Sequence, residues 1–381
     1  MIPYGKQEIN AADISAVLEV LKSDWLTQGP VIPKFEEAIA NKVNANYGVA
    51  TNSATSALHI ACLSLGLGQG DLVWTSPISF VASANCALYC GADVDFVDID
   101  SNTLNMSIEA LSVKLKEADR LGKLPKIVIP VHFAGQSCDM ESIYQLSQQY
   151  GFRIIEDASH AIGGAYKNTS VGSCTYSDIS VFSFHPVKII TSGEGGIALT
   201  NDKKLAEKMR RLRSHGITKN QDDMVELPEG AWKYEQLELG FNYRITDIHA
   251  ALGLSQLARL DQIIERRNFL ASIYNHAFSS SEILFQILIK DVVSAWHLYV
   301  IRVPESKRSE LFNKLQDEGV GVNVHYIPIH TQPYYKKLGF VKGQYPIAEQ
   351  YYREAITLPL FPQLTEEQQN FIIKTTKSVF N

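Results

Sequence analysis

Between residues 47 and 200 short β-rich runs alternate with helical stretches, and this alternation constrains the chain more than any other feature. The runs are YGVAT (47–51), LVWTS (72–76), VDFVD (94–98), KIVIPV (126–131), RIIED (153–157), SVFSF (180–184) and GIALT (196–200). Amphipathic segments such as 107–121 and 139–149 separate most of them. Continuous apolar strands divided by helices predict an α/β fold with a mainly parallel sheet covered on both faces. Ile197 follows Phe184 through a turn-rich stretch rather than a long helix, which leaves room for one antiparallel strand.

With 381 residues, the chain is too long for one ordinary core. Residues 1–250 read as a large domain that includes the N-terminal segment. Residues 251–381 read as a connector helix and a small α+β domain, with strands at 298–303 and 322–325, helices at 306–318 and 365–380, and a proline-containing loop at 358–363. The connector lies within a helix-dominated stretch over 246–278.

A net charge of −6 without a basic block gives no support for nucleic-acid binding. Apolar runs end well short of a membrane span, and MIPYGKQEIN lacks the basic and apolar regions of a secretory signal. Five widely spaced cysteines, Cys62, Cys86, Cys90, Cys138 and Cys174, argue against a disulfide framework and for a reducing cytoplasm. Cys86 and Cys90 share a helix face, but no second pair follows, so no metal site is expected.

In open α/β sheets ligands sit beyond the carboxyl ends of the strands, and the unusual residues fall there. RIIEDASHA puts Asp157 just past a strand. SVFSFHPVKIITSGEGG puts Ser183, His185 and Lys188 after the next. TNSATSALH puts Ser53–Ser56 at a helix start, and TSPISFVASAN puts Phe80 in a loop. Together they meet the needs of pyridoxal phosphate: a lysine to form an imine with its aldehyde, and a carboxylate facing its pyridine nitrogen. A helix start with small hydroxyls suits its phosphate, and an aromatic face suits its ring. Taken singly each residue has a plainer explanation, as a cap, a surface charge or core. GEGGIA (193–198) fits the dinucleotide pattern, but it precedes an apparent strand instead of following one, so it reads as a tight turn.

These segments resemble the DegT/DnrJ/EryC1/StrS family of sugar aminotransferases. The likeness runs from PYGKQEIN to LPLFP and includes WLTQGP, NSATSALH, PISFVASAN, EDASHAIG, SFHPVKIITSGEGG, RLRSHGI, FNYRITDIHAALG and VHYIPIH in the family's order. The resemblance implies the type I pyridoxal-phosphate (aspartate aminotransferase-like) fold and a homodimer with shared active sites. It implies that Lys188 carries the cofactor, that Asp157 faces its ring nitrogen and that His160 lies near its ring oxygen. Thr55, Ser56 and Ser183 would cradle the phosphate, Phe80 would stack on the ring, and Asn242 would reach the phosphate of the neighbouring subunit. Tyr4, Trp25, Leu26, Thr27, Gln28, His325 and Tyr326 would line the cleft for a nucleotide-linked keto-sugar. Some family members carry histidine at the lysine position and are dehydratases, so Lys188 points to transamination. NSATSALH, PISFVA, SFHPVKIIT, RSHG and VHYIPI carry a narrower likeness to members that aminate C4 of a UDP-linked 4-keto-6-deoxy-N-acetylhexosamine for pseudaminic acid. L-Glutamate is then the expected amino donor, with Arg244 a candidate for its carboxylate. C3- or C4-amination of a GDP- or dTDP-linked keto-sugar is the alternative. A non-catalytic pyridoxal-phosphate regulator is a further one, but such regulators usually carry a DNA-binding segment, and no basic helix-turn-helix is evident.

Overall fold

The computed structural model describes residues 1–226 and 229–380. Its centre is a seven-stranded sheet: β1 (Tyr47–Thr51), β2 (Leu72–Thr75), β3 (Asp93–Phe96), β4 (Ile127–Ile129), β5 (Arg153–Asp157), β6 (Ile179–Ser183) and β7 (Gly196–Thr200). The spatial order is β1-β7-β6-β5-β4-β2-β3. Neighbouring strands from β6 to β3 run parallel. Strand β7 is antiparallel to both its neighbours, as the turn-rich stretch before it allows.

Side chains alternate across the strands. Helices α1 (Ala11–Leu21) and α2 (Val31–Val43) precede β1. Ile127 and Ile129 enter one core with Ala57 and Leu58 of α3 (Ala54–Ser64) and Cys86 of α4 (Ala82–Tyr89). Val128 enters another with Leu111 and Leu115 of α5 (Ile108–Leu121) and Ile143 of α6 (Met140–Tyr150). A strand that buries both faces cannot alternate apolar with polar residues, which is why these runs are continuously apolar.

The stretch 246–278 is two helices, Asp247–Leu257 and Leu260–Phe278. The latter packs with Glu305–Asp317 and Glu366–Lys377 around a separate core. That core also holds residues of a three-stranded antiparallel sheet, Leu284–Phe285, Tyr299–Arg302 and Ala355–Leu358. One sequence expectation is corrected here, and one strand was not foreseen. Residues 322–325 form no strand; Asn323 makes a single bridge to Thr357. The strand Ala355–Leu358 was missed because it leaves the helix Pro346–Glu354 without a turn. Tyr335, Tyr345, Ala348 and Tyr351 return to the large sheet's core beside Phe96, while Ile2 pairs with Val320.

Candidate active site

The carboxyl ends of β5 and β6, the start of α3 and the 325–326 segment enclose a cavity of about 440 Å³. A larger groove of about 720 Å³ lies beside α5, but Lys114 there is paired with Asp95 at 2.6 Å and no reactive set converges on it.

Asp157 ends β5 and is buried. One carboxylate oxygen accepts the Ser83 hydroxyl at 2.6 Å, and the other accepts the Ser159 N–H at 3.1 Å. Lys188 sits in the turn after β6, its N–H bonded to the His185 carbonyl at 2.9 Å. By surface area its side chain is half-buried, because it faces the cavity; the protein around it still holds the amine in a poorly solvated place. That desolvation pushes the amine down to about 8, against a partial opposing pull from Asp157. A lysine so shifted is more often a neutral nucleophile near pH 7 than a surface lysine is.

At the start of α3 the Ser53 hydroxyl accepts the Ser56 N–H at 3.2 Å. The N–H groups of Ala54 and Thr55 are left without a protein partner among the described residues, and both residues line the cavity. Free N–H groups at a helix start suit an anion. Gly196 makes this approach possible: a Cβ there would lie 2.4 Å from the Ala54 nitrogen. GEGGIA thus serves the packing of β7 beside α3, in keeping with the turn reading.

His160 Nδ1 accepts the Ala134 N–H at 3.3 Å, so the ring proton resides on Nε2, 3.1 Å from the Tyr326 hydroxyl. Burial, with smaller contributions from Lys188 and His325, pushes His160 well below its usual range. Burial and Lys188 take His325 down to about 3. The imidazoles here are neutral at pH 7. Burial also pushes the Tyr326 phenol up, so it stays protonated.

Of the sequence-predicted residues, Tyr4, Thr55, Phe80, Asp157, His160, Ser183, Lys188, His325 and Tyr326 meet at this cavity. Ser56 does not face it; its hydroxyl donates to Asn52 at 2.7 Å and braces the helix start. Phe80 is 60% exposed at the mouth. Trp25, Leu26, Thr27 and Gln28 lie outside the lining, Trp25 and Leu26 exposed and Thr27 bridged to Thr246. Asn242 is exposed and bridged to Ser214; Arg244 is bridged to Thr51; neither lines the cavity of its own chain. Sequence reasoning missed Ser83, Glu194 as a lining residue, and His297. Ser83 was detectable, lying one helical turn past Phe80 in a quoted motif; His297, just before a short strand, gave no signal.

A nucleophilic amine, a buried carboxylate, open helix-start N–H groups and an aromatic mouth fit pyridoxal phosphate. The fold and this site define a type I pyridoxal-phosphate enzyme. The model of the DegT/DnrJ/EryC1/StrS aminotransferase family matches residues 7–377. The chain is 40% identical to the spore coat polysaccharide biosynthesis protein SpsC of Bacillus subtilis, over 99% of this chain and 97% of that one. It is 38% identical to a UDP-4-amino-4,6-dideoxy-N-acetyl-beta-L-altrosamine transaminase of Campylobacter jejuni, over 100% and 97%. Among solved structures, the PLP form of the putative sugar aminotransferase Spr1654 of Streptococcus pneumoniae superposes with a TM-score of 0.89 at 30% identity, covering 99% and 98%. Helicobacter pylori PseC, an aminotransferase of pseudoaminic acid biosynthesis, superposes with 0.90 at 32%, covering 100% and 99%. The chain belongs to the DegT/DnrJ/EryC1/StrS aminotransferase family. It is a sugar aminotransferase that uses pyridoxal phosphate. Among the described residues no helix is long and apolar enough to cross a membrane.

Proposed function

We propose that the chain transfers an amino group from L-glutamate to C4 of a UDP-linked 4-keto-6-deoxy-N-acetylhexosamine, on the route to pseudaminic acid, as a cytoplasmic homodimer. The observation that carries the chemistry is Lys188 and Asp157 facing one cavity beside the open N–H groups of α3. The sugar is supported by the short-motif likeness and by the printed activities of the C. jejuni and H. pylori relatives.

When bound, pyridoxal phosphate supplies an aldehyde that holds amines and a ring that draws electrons from the bond being broken. In this reading Lys188 would hold the aldehyde, and its Nζ, when free, would be the base that moves a proton between carbons. Asp157 would keep a proton on the ring nitrogen, and Ser83 and the Ser159 N–H hold the carboxylate in place. Thr55 and Ser183 would serve the phosphate, Ser56 bracing the helix start through Asn52, with Asn242 arriving from the second subunit. Phe80 would cover the ring and His160 would lie at its oxygen side; His160 donates from Nε2 to Tyr326, which leaves the tyrosine's own proton free for a ligand. Tyr4, His325 and Tyr326, with Trp25, Leu26, Thr27 and Gln28 at the rim, receive the sugar nucleotide.

The test is a panel of nucleotide keto-sugars supplied with glutamate, the new amine being located by NMR. Preferred amination of the UDP-linked L-arabino 4-ketone over its D-xylo epimer is expected. Preference for a 3-ketone or for a dTDP- or GDP-sugar overturns the substrate and leaves the aminotransferase chemistry standing.

A further inference from the structure

His297 lines the same cavity as Lys188 and is 4% exposed. Its ring lies 4.4 Å, centroid to centroid, from that of His160. The other two imidazoles are committed: His160 to the Ala134 N–H and Tyr326, His325 Nδ1 to the Thr357 hydroxyl at 2.9 Å. His297 Nδ1 is buried and has no hydrogen-bond partner among the described residues. A buried polar atom left unpaired is costly and calls for a reason.

The backbone around His297 is held from several sides. The guanidinium of Arg267 is buried, has no carboxylate partner among the described residues, and donates to the carbonyls of Trp296, His297 and Leu360 at 2.9, 3.3 and 3.0 Å. Ala295 and Leu298 donate to the carbonyls of Gly135 and Ala134. At Gly135, with φ 107°, a Cβ would stand 2.6 Å from the Trp296 nitrogen and 2.9 Å from that of His297. The Ala134–Gly135 turn therefore sets the positions of His160 and His297 together.

We propose that His297 is a positioning residue for Lys188: its unpaired imidazole nitrogen accepts a hydrogen bond from Nζ and holds that amine where it moves protons. The proposal rests on the reading of Lys188 as the proton-moving amine. Asp157, whose two oxygens are already bonded, is the remaining strong acceptor in the lining; Glu194 stands at the exposed mouth beside His185. Burial and the charge of Lys188 keep His297 neutral, hence an acceptor.

An imidazole that accepts from Nζ stabilises the ammonium form. The test compares the native chain with His297→Phe, which keeps ring bulk, and His297→Asn, which keeps an acceptor. In the cofactor-free full-length protein, the pH dependence of Lys188 acetylation by acetic anhydride, read by mass spectrometry, reports the lysine's pKa. His297→Phe is expected to lower it by about half a unit or more, while His297→Asn stays near the native value. In the loaded enzyme, glutamate should bleach the cofactor band about 10-fold more slowly in His297→Phe, with partial rescue in His297→Asn. Labelling profiles identical in all three proteins overturn the proposal. Should His297→Phe fail to fold, the profile of His297→Ala against the native chain decides. If borohydride reduction of the loaded native enzyme marks a lysine other than Lys188, the underlying reading has failed. If it marks Lys188 and the profiles coincide, only the role of His297 has failed.

Discussion

At the floor of the cavity Asp157, His160 and His297 are each at least nine-tenths buried, and Asp157 and His160 have defined hydrogen-bond partners within the chain. At the mouth Phe80 is 60% exposed, and Trp25, outside the lining, is 55% exposed. Buried polar groups must find partners inside the fold or lose stability, so the floor is nearly complete in one chain. A large exposed aromatic at a cavity mouth is a surface left open to a ligand or a second subunit. On the proposed reading the difference separates chemistry, which one chain carries, from recognition, which draws on the second subunit.

The largest effect is expected at the floor. Lys188→Ala should cost about 1,000-fold or more in turnover, measured as amine transfer under saturating donor, and near-native turnover would break the distinction. Asp157→Asn should keep the cofactor, read by absorbance, but lose about 100-fold in turnover. Ser83→Ala, which removes one hydrogen bond to that carboxylate, should cost about 10-fold. A Ser83→Ala loss equal to that of Asp157→Asn would mean that Ser83 does more than orient.

The rim is tested by mixing. Lys188→Ala and Asn242→Ala chains, each inactive, should regain about a quarter of native activity in a one-to-one mixture if Asn242 acts across a two-fold interface. No recovery despite proven hybrid dimers would assign Asn242 to its own chain. Trp25→Ala should raise KM for the sugar nucleotide about 3- to 10-fold with kcat and the cofactor band unchanged.

The smallest effect is thermodynamic. Lys188 is pushed down to about 8 from 10.5. Between those values the unfolded chain holds a proton that the folded one has released, so stability rises with pH through this window. At pH 7 the folded, cofactor-free chain carries a poorly solvated ammonium. Lys188→Met should therefore raise its Tm at pH 7 by about 2 °C or more. The gain should shrink as pH passes from about 8 to 10.5; a gain that grows instead would contradict the burial of the amine.

This contrast also explains what the sequence disclosed. Strands buried on both faces announce themselves as apolar runs, and Asp157 and Lys188 stand next to such runs in sequence. His297 belongs to the floor but enters from a segment more than 100 residues away, placed by Arg267 and Gly135 through contacts that no local pattern encodes. The strand Ala355–Leu358 exists because Tyr299–Arg302 pairs with it, a tertiary cause that periodicity does not register. Trp25, Leu26, Thr27, Gln28 and Asn242 came from family likeness alone, and none of them lines the cavity of its own chain.

The central claim is that Lys188 is the amine that holds the cofactor. Borohydride reduction of the pyridoxal-phosphate-loaded enzyme, followed by proteolysis and mass spectrometry, tests it most directly. The account predicts a single pyridoxyl mass addition on the peptide that contains Lys188, suppressed when glutamate is added before the reductant. Addition at any other lysine, with Lys188 unmodified, would contradict it.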